Sequence, residues 1–196
     1  MVKKALDHFQ KTDPLLFSFV QEESLKQLTK TKDLFSALCE SIVSQQLSIK
    51  ASDTIFGRLR ALMPNNQVVP KSLIRYDIEK LRSVGMSRSK ASYVLDLAQK
   101  IINKELILEE LHTFSDEKVI EELIKVKGIG RWTAQMFLMF ALGREDIFSY
   151  GDLGIRKAIQ KMYKLKQEPT IAQAEKIAEK WKPYRTYACR ILWNSL

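Results

Sequence analysis

The sequence predicts an all-α fold, and three features of the chain support this prediction. Apolar residues recur at helical spacing, while the alternating pattern of a half-buried strand is scarce. Residues that cap helices precede most apolar stretches, and glycine, proline or asparagine separates those stretches. With 45% hydrophobic and 28% charged residues among 196, the composition is that of an ordinary globular protein with one sizeable core or two small lobes.

The first half of the chain divides into helices with recognisable starts. Asp33 can cap the first of them, and either Ser48 or Asp53 can cap a second helix within the same stretch. Pro64-Asn65-Asn66 ends this stretch, because proline and asparagine favour turns. Shorter helices are then expected to begin at Pro70, after Asp77 and after Ser87.

The second half of the chain continues in the same way. Ser115 can cap a helix and is followed by two acids, which suits the positive end of a helix dipole. Thr170 and Gln173 have the spacing of a capping box. Pro183 can begin the last helix, which we expect to contain PYRTYACRILW.

The composition argues against several classes of protein. The amino terminus lacks the apolar core of a signal peptide, and the longest apolar run, residues 136–142, is too short to cross a bilayer. We therefore expect no membrane partner and a cytoplasmic location, nucleoid-associated in a bacterium or nuclear in a eukaryote. Two cysteines, Cys39 and Cys189, and two distant histidines do not provide a metal site, so no metal is expected.

The net charge of +9 favours an anionic partner, with nucleic acid first. Charge alone does not identify that partner, because many basic proteins bind no nucleic acid. A more specific signal lies in KVKGIGRWTA, residues 125–134.

This stretch ends one helix and restarts another at once. Gly128 can end the first helix in a left-handed conformation, Ile129 can turn inward, and Gly130 lets the next helix begin. The unpaired amides at that helix start attract a phosphate oxygen.

Three cations surround the same point, namely Lys125, Lys127 and Arg131. They add charge for a DNA backbone, and such contacts position a duplex without reading its sequence. The alternative is a plain corner between two helices, for which a Gly-x-Gly pattern is common.

Asp152, in SYGDLGIRKAIQKMY, permits two interpretations. It can cap the helix that begins at Leu153, which is the role that sequence alone favours. An acid held by helix amides can also be a catalytic group that stabilises developing positive charge and orients or deprotonates water. The two roles are compatible.

Four segments carry a combined pattern: SIVSQQLSIKASDTIFGRL (41–59), LIKVKGIGRWTAQMF (123–137), DIFSYGDLGIRKA (146–158) and WKPYRTYACRILW (181–193). Together they resemble the helix-hairpin-helix superfamily of DNA base-excision glycosylases. Within it, the likeness is strongest to the 3-methyladenine DNA glycosylase II branch, which acts on alkylated bases. The resemblance runs from about Asp33 to Trp193.

This resemblance implies a monofunctional glycosylase that hydrolyses the N-glycosidic bond of alkylated purines, mainly 3-methyladenine and 7-methylguanine, in duplex DNA by base flipping. That reaction is the first step of base excision repair. Asp152 is the implied catalytic residue, although Ser149-Tyr150-Gly151 stands where the family often has a proline. Lyase-competent relatives place a lysine where this chain has Trp132, so no lyase activity is expected. The alternative function is a non-catalytic helix-hairpin-helix DNA-binding module.

The resemblance also implies binding residues. Trp132 and Trp193 line the base pocket, Tyr150 is an addition to it, and Trp181 is expected in the core. Met86 or Arg88 belongs to the intercalating loop, and Gln46 lies in a helix that faces the DNA. The implied DNA-binding residues are Gly128, Gly130, Arg131, Lys127, Lys125, Gln46, Met86 and Arg88.

The implied architecture is a two-lobed helical bundle with a helix-hairpin-helix motif and no N-terminal β domain. Lobe A covers about residues 31–142 and ends with the hairpin, and lobe B covers about 1–30 plus 143–196. We expect a monomer that binds double-stranded DNA with alkylated bases. No cofactor is expected, although the resemblance allows a monovalent cation on the hairpin carbonyls.

Overall fold

The computed structural model describes residues 2–21 and 26–196, and within them the fold is all-α, as predicted. These residues contain no strand and three 3-10 helices, Pro64–Asn66, Leu108–His112 and Glu179–Trp181. The α-helices of the described residues are α1 (Val2–Thr12), α2 (Pro14–Phe17), α3 (Leu34–Ser44), α4 (Ile49–Leu62), α5 (Pro70–Leu73), α6 (Ile78–Ser83), α7 (Arg88–Ile102), α8 (Asp116–Leu123), α9 (Arg131–Phe140), α10 (Leu153–Met162), α11 (Ile171–Ala178) and α12 (Arg185–Asn194).

The chain divides into two compact units. Unit 1 combines Met1–Lys30 with Leu138–Leu196, and unit 2 is Thr31–Phe137. Residues 1 and 22–25, which the predicted lobe B includes, lie outside the described residues. Among the residues that are described, no helix is both long enough and apolar enough to span a membrane.

Most helices of unit 2 begin at the predicted caps. Ser48, rather than Asp53, caps α4, because its hydroxyl accepts a hydrogen bond from the N–H of Ala51. Such a bond satisfies a donor that has no partner within the helix and is worth about 1 kcal/mol. Four further predicted caps make the same bond and are confirmed: Asp33, Asp77, Ser87 and Ser115.

The prediction that Gln46 lies in a helix is wrong. Helix α3 ends at Ser44, and Gln46 adopts a left-handed conformation with φ of 56° in a turn. Lys90 holds this turn, since its Nζ donates to the carbonyls of Val43 at 2.8 Å and Gln45 at 2.6 Å. A cation on unpaired carbonyls at a helix end is favourable, and this one comes from a different helix, which local sequence does not reveal.

The core of unit 2 forms where α3 packs against α4 and α7, and where α5 and α6 pack against α7. Apolar residues at helical spacing place one face of each helix toward this core. Fully buried side chains there include Leu38, Ile42, Leu59, Leu81 and Leu97.

Unit 1 contains a buried carboxylate, that of Asp13. One oxygen accepts from the N–H of Leu16, and the other accepts from Trp181 Nε1 at 2.8 Å. Lys180 Nζ at 2.9 Å and the Tyr163 hydroxyl also donate to that second oxygen. Burial alone would raise the pKa of Asp13, but hydrogen bonds from the three side-chain donors outweigh it and hold the pKa below its ordinary value. Trp181 is fully buried, which confirms its expected place in the core.

The last helix begins two residues later than predicted, so the assignment of Pro183 as its start is wrong. Helix α12 begins at Arg185, with Tyr184 as its cap. Pro183 lies inside a turn that closes when the N–H of Tyr184 donates to the carbonyl of Trp181 at 2.7 Å. The first N–H of α12, that of Arg185, donates to Asp146 Oδ1 at 3.3 Å. The capping box of Thr170 and Gln173 at α11 is confirmed.

The hairpin of unit 2 joins α8 to α9, and its two glycines differ. Gly128 has φ of +80°, and a Cβ there would lie 2.0 Å from the ring of Tyr93. Its carbonyl accepts from the side-chain amide of Gln45 at 2.8 Å, while Ile129 is buried as the predicted apolar plug. Gly130 has no positive φ, and a Cβ there would meet no atom within 4 Å. Gly128 is therefore required by the fold, whereas the structure of unit 2 leaves room at Gly130.

Gly128→Ala should lower the free energy of unfolding by roughly 2–4 kcal/mol, because alanine is strained at positive φ and overlaps a packed ring. Gly130→Ala is the matched control and should change it by about 1 kcal/mol at most. Urea unfolding followed by circular dichroism measures both values. Equal stability of the two variants would contradict this account of the hairpin.

Candidate active site and nucleic-acid interface

Asp152 is the N-cap of α10, as the first of its two interpretations predicted. Its backbone is extended, with φ of −77° and ψ of 123°, and its Oδ1 accepts from the N–H of Ile155 at 2.9 Å. Its own N–H donates to the carbonyl of Ser149 at 3.1 Å, which closes the preceding turn. The carboxylate is partly exposed and lies at the positive end of a helix dipole, a favourable position for a negative charge.

Trp193 contacts the same carboxylate oxygen. It lies in the last turn of α12, and its Nε1 donates to Asp152 Oδ1 at 3.0 Å. Helices α10 and α12 pack against each other within unit 1, so the fold of this unit brings the two residues together. The sequence pointed to both residues, and the direct hydrogen bond between them is an additional finding.

Gly154 leaves room for this contact. A Cβ at Gly154 would lie 3.0 Å from Asp152 Oδ1 and 3.3 Å from Trp193 Cδ1. At Gly151 a Cβ would meet no atom within 4 Å. A Cβ at position 154 would therefore crowd both partners of the contact between the indole and the carboxylate, whereas a Cβ at position 151 would not.

An exposed aromatic ring extends the apolar surface beside the carboxylate. The centroid of the Phe140 ring lies 6.0 Å from that of Trp193, with the planes at 36°. Phe140 is 51% exposed, and Leu153 next to the acid is 50% exposed. Sequence reasoning missed Phe140, because within an apolar run nothing distinguishes it from a core residue.

The loop before the carboxylate is braced although it lacks the proline that the resemblance implies there. Arg156 donates to the carbonyls of Tyr150 at 3.4 Å and Gly151 at 3.2 Å. The Tyr150 hydroxyl donates to the carbonyl of Pro169 at 3.0 Å, and Arg156 Cζ lies 5.7 Å from the Tyr150 ring centroid. The hydroxyl and one ring face of Tyr150 therefore already have contacts within unit 1. The role of Tyr150 in a base pocket stays a prediction.

Cys189 lies close to the carboxylate but does not provide a thiolate. It is fully buried, and its Sγ donates to the carbonyl of Ile147 at 3.7 Å. Burial raises the pKa of Cys189 to about 12, with a smaller contribution from the negative charge of Asp152. The thiol is therefore protonated at neutral pH and is not a nucleophile.

The predicted contacts of the hairpin lie on the exposed surface of unit 2. Trp132, in the first turn of α9, is 44% exposed and is therefore not a core residue. Its place in a base pocket stays a prediction. The exposed hairpin residues are Lys125, Lys127, Gly128, Gly130 and Arg131.

One predicted DNA contact is contradicted by burial. Met86 is only 4% exposed and packs in the core of unit 2, so its side chain does not extend toward a bound duplex. Arg88 in the same segment is exposed. Gln46 is exposed in its turn, between Leu47 and the 80% exposed Ile49.

The chain belongs to the HhH-GPD superfamily of base excision DNA repair proteins, whose pattern matches residues 39–183. This match confirms the resemblance drawn from the four sequence segments.

Several known proteins are similar to the chain over most of its length. DNA-3-methyladenine glycosylase 1 of Schizosaccharomyces pombe is 34% identical over 84% of this chain and 73% of that protein. The structure of a 3-methyladenine DNA glycosylase from the same yeast in complex with abasic DNA superposes with a TM-score of 0.84, at 32% identity, over 97% of this chain and 95% of that chain. The structure of a DNA-3-methyladenine glycosidase from Bacillus halodurans gives a TM-score of 0.82, at 35% identity, over 96% of this chain and 87% of that chain.

Gly154→Ala should disturb the hydrogen bond between Trp193 and Asp152, because the added Cβ crowds both partners. The indole N–H resonance of Trp193 in a nitrogen-15 NMR spectrum measures this directly, and it should shift toward the value of an indole without a charged acceptor. Gly151→Ala should leave the resonance unchanged. The resonance of Trp181, bonded to Asp13, is an internal control, and an unmoved Trp193 signal in Gly154→Ala would contradict the packing described.

Proposed function

We propose that this chain is a monofunctional DNA glycosylase that removes alkylated purines, mainly 3-methyladenine and 7-methylguanine, from duplex DNA. The observation that carries the proposal is a partly exposed carboxylate, Asp152, held at one oxygen by Ile155 at 2.9 Å and Trp193 at 3.0 Å, beside an exposed aromatic surface. Membership of a base excision repair superfamily supports the reaction class. Relatives named DNA-3-methyladenine glycosylase or glycosidase support the class of lesion.

The carboxylate provides the charge that the reaction requires. Breaking the N-glycosidic bond develops positive charge on the sugar, as in glycoside hydrolysis. A fixed anion stabilises that charge and can orient or deprotonate the water that attacks C1′. Because two N–H donors fix Asp152 Oδ1 before substrate binds, little reorganisation of the acid is needed during the reaction.

The charge of an alkylated purine explains how one acid can suffice. These bases are cationic in DNA and leave as neutral molecules, so a second acid that protonates the leaving base is less necessary. A cationic base over an aromatic face gains about 0.5–2 kcal/mol, and an undamaged purine lacks most of that gain. In unit 1, Trp193 and Phe140 present such faces next to the carboxylate.

The hairpin of unit 2 is proposed to hold the DNA backbone. Gly130 leaves open space at the start of α9, whose N–H groups and dipole attract a phosphate. Extruding a nucleotide costs about a few kcal/mol, so these backbone contacts must hold the duplex while the base leaves the stack. Gln46 and Arg88 are exposed, whereas Met86 is buried. We therefore expect Gln46 and Arg88 to contact the gap that the extruded base leaves in the stack.

Asp152→Asn should lower the single-turnover rate of base release by about a hundredfold or more, because asparagine carries no charge to stabilise the sugar cation. Asparagine also caps helices, so the thermal midpoint should stay close to that of the wild type. The assay is release of free base from a duplex that contains one 3-methyladenine or 7-methylguanine.

Asp77→Asn is the matched control, since it makes the same change at the N-cap of α6 in unit 2 and should leave the rate unchanged. Equal rates for Asp152→Asn and wild type would contradict the proposed mechanism. No base release by wild type from any alkylated duplex would exclude the glycosylase function itself.

The proposal of a monofunctional enzyme depends on Trp132. A lyase needs an amine that forms a Schiff base with the sugar, and an indole cannot do so. Borohydride should therefore trap no covalent protein–DNA adduct, while a bifunctional glycosylase under the same conditions supplies the positive control. Efficient trapping with the wild-type chain would show that another amine acts as the nucleophile.

A non-catalytic DNA-binding module is the second candidate, favoured by the exposed hairpin and the net charge of +9. Such a module would bind duplex DNA with strong salt dependence. It would show no preference for damaged DNA and no turnover, so the base-release assay separates the two candidates.

A further inference from the structure

The three hairpin cations that we expect to contact DNA each have an acidic partner within unit 2. Local positive charge at the hairpin is therefore largely balanced, even though the whole chain carries +9. The pairs, with their N–O distances, are Lys125–Glu122 (2.6 Å), Lys127–Asp96 (3.6 Å) and Arg131–Glu117 (2.7 Å).

Two of these acids have structural partners besides the hairpin cation. The side chain of Asp96 is 17% exposed and accepts the backbone N–H of Lys127 at 2.9 Å, so it helps to build the hairpin. The side chain of Glu122 is 13% exposed and is shared between Lys125 and Lys118, the latter at 2.9 Å. Neither acid can be removed without disturbing other contacts of unit 2.

Glu117 differs from both. Its side chain is 59% exposed, and its two oxygens accept from the two terminal nitrogens of Arg131 at 2.7 and 2.8 Å. Hydrogen bonds from Arg131 hold the pKa of Glu117 below its ordinary value, so the carboxylate is ionised at neutral pH. This two-point geometry is the one in which a guanidinium also binds phosphate.

A phosphate that approaches the start of α9 therefore meets Arg131 already bound by a carboxylate. To bind the edge formed by the two terminal nitrogens of Arg131, the phosphate must displace Glu117, and the displaced acid then repels the phosphate. We infer that Glu117 competes with the DNA backbone for Arg131 and thereby weakens binding to undamaged duplex. The inference rests on the proposed function, because it requires the hairpin to contact DNA.

This competition lowers the affinity for damaged and undamaged duplex by the same factor. The backbone contacts are the same for any sequence, whereas contacts with an extruded, cationic base form only at a lesion. Weakening the backbone contacts shortens the time that the protein spends on undamaged DNA. It leaves the contacts with the extruded base intact. Glu117 is thus assigned as a residue that sets how readily the protein leaves DNA, without changing the ratio of its affinities for damaged and undamaged duplex.

The test compares Glu117→Gln with Glu179→Gln, measuring affinity for an undamaged duplex by fluorescence anisotropy across a range of salt. Both variants remove one negative charge from an exposed ion pair, since Glu179 is 61% exposed and binds Lys182 at 2.8 Å. Glu117→Gln should bind about fivefold more tightly than Glu179→Gln at low ionic strength, a gain typical of an exposed charge pair. The difference should shrink as salt screens the charges.

A double-mutant cycle on affinity for the undamaged duplex is completed by Arg131→Gln and by the double variant Glu117→Gln/Arg131→Gln. If Glu117 acts through Arg131, the double variant binds no more tightly than Arg131→Gln alone. The inference is overturned if Glu117→Gln and Glu179→Gln have equal affinity, or if the gain persists without Arg131.

Failure of this inference is distinguishable from failure of the proposed function. Base release by the wild type from an alkylated duplex tests the function, and it does not depend on the affinity of Glu117→Gln for undamaged DNA. A chain that releases the base while both glutamine variants bind equally would keep the function and lose the inference.

Discussion

The candidate site depends on one arrangement, in which two N–H groups donate hydrogen bonds to the same oxygen of Asp152. The donors are the backbone of Ile155 in α10 and the indole of Trp193 in α12. A hydrogen bond to a charged group stabilises by about 1.5–3 kcal/mol, so the two bonds hold the carboxylate in one direction. Trp193 thus has two proposed tasks, since its N–H holds the acid and its ring presents a face to the base. The last turn of α12 is therefore as much a part of the site as the acid itself.

We propose that the hairpin holds DNA mainly through its backbone amides. Gly128 is required by a left-handed conformation and by the ring of Tyr93, while Gly130 leaves space at the start of α9. Side-chain charge nearby is paired with acids, Glu117 foremost among them. In this account, bare amides give the grip on DNA, and the paired acids keep that grip weak enough for release.

The sequence predicted the structural features that depend on residues close together along the chain. Most caps were correct, including Asp152, because a cap is a contact between a residue and the amide three positions on. Contacts between distant segments were not predictable in the same way. Lys90 donates hydrogen bonds to carbonyls of the turn after α3, and the ring of Phe140 lies exposed beside Trp193. Both features depend on packing between helices. Met86 was misassigned for the same reason, since an apolar residue in a loop can point outward into DNA or inward into a core.

The most direct test of the account is a crystal structure of Asp152→Asn bound to a duplex that contains 7-methylguanine. We expect an extruded nucleotide whose C1′ lies about 3–3.5 Å from the side chain of residue 152, the separation of reacting groups in a productive complex. The purine should contact the ring of Trp193, and the carboxamide oxygen should still accept the indole N–H. A duplex bound with the damaged base still stacked, or an extruded nucleotide far from residue 152, would contradict the central claim.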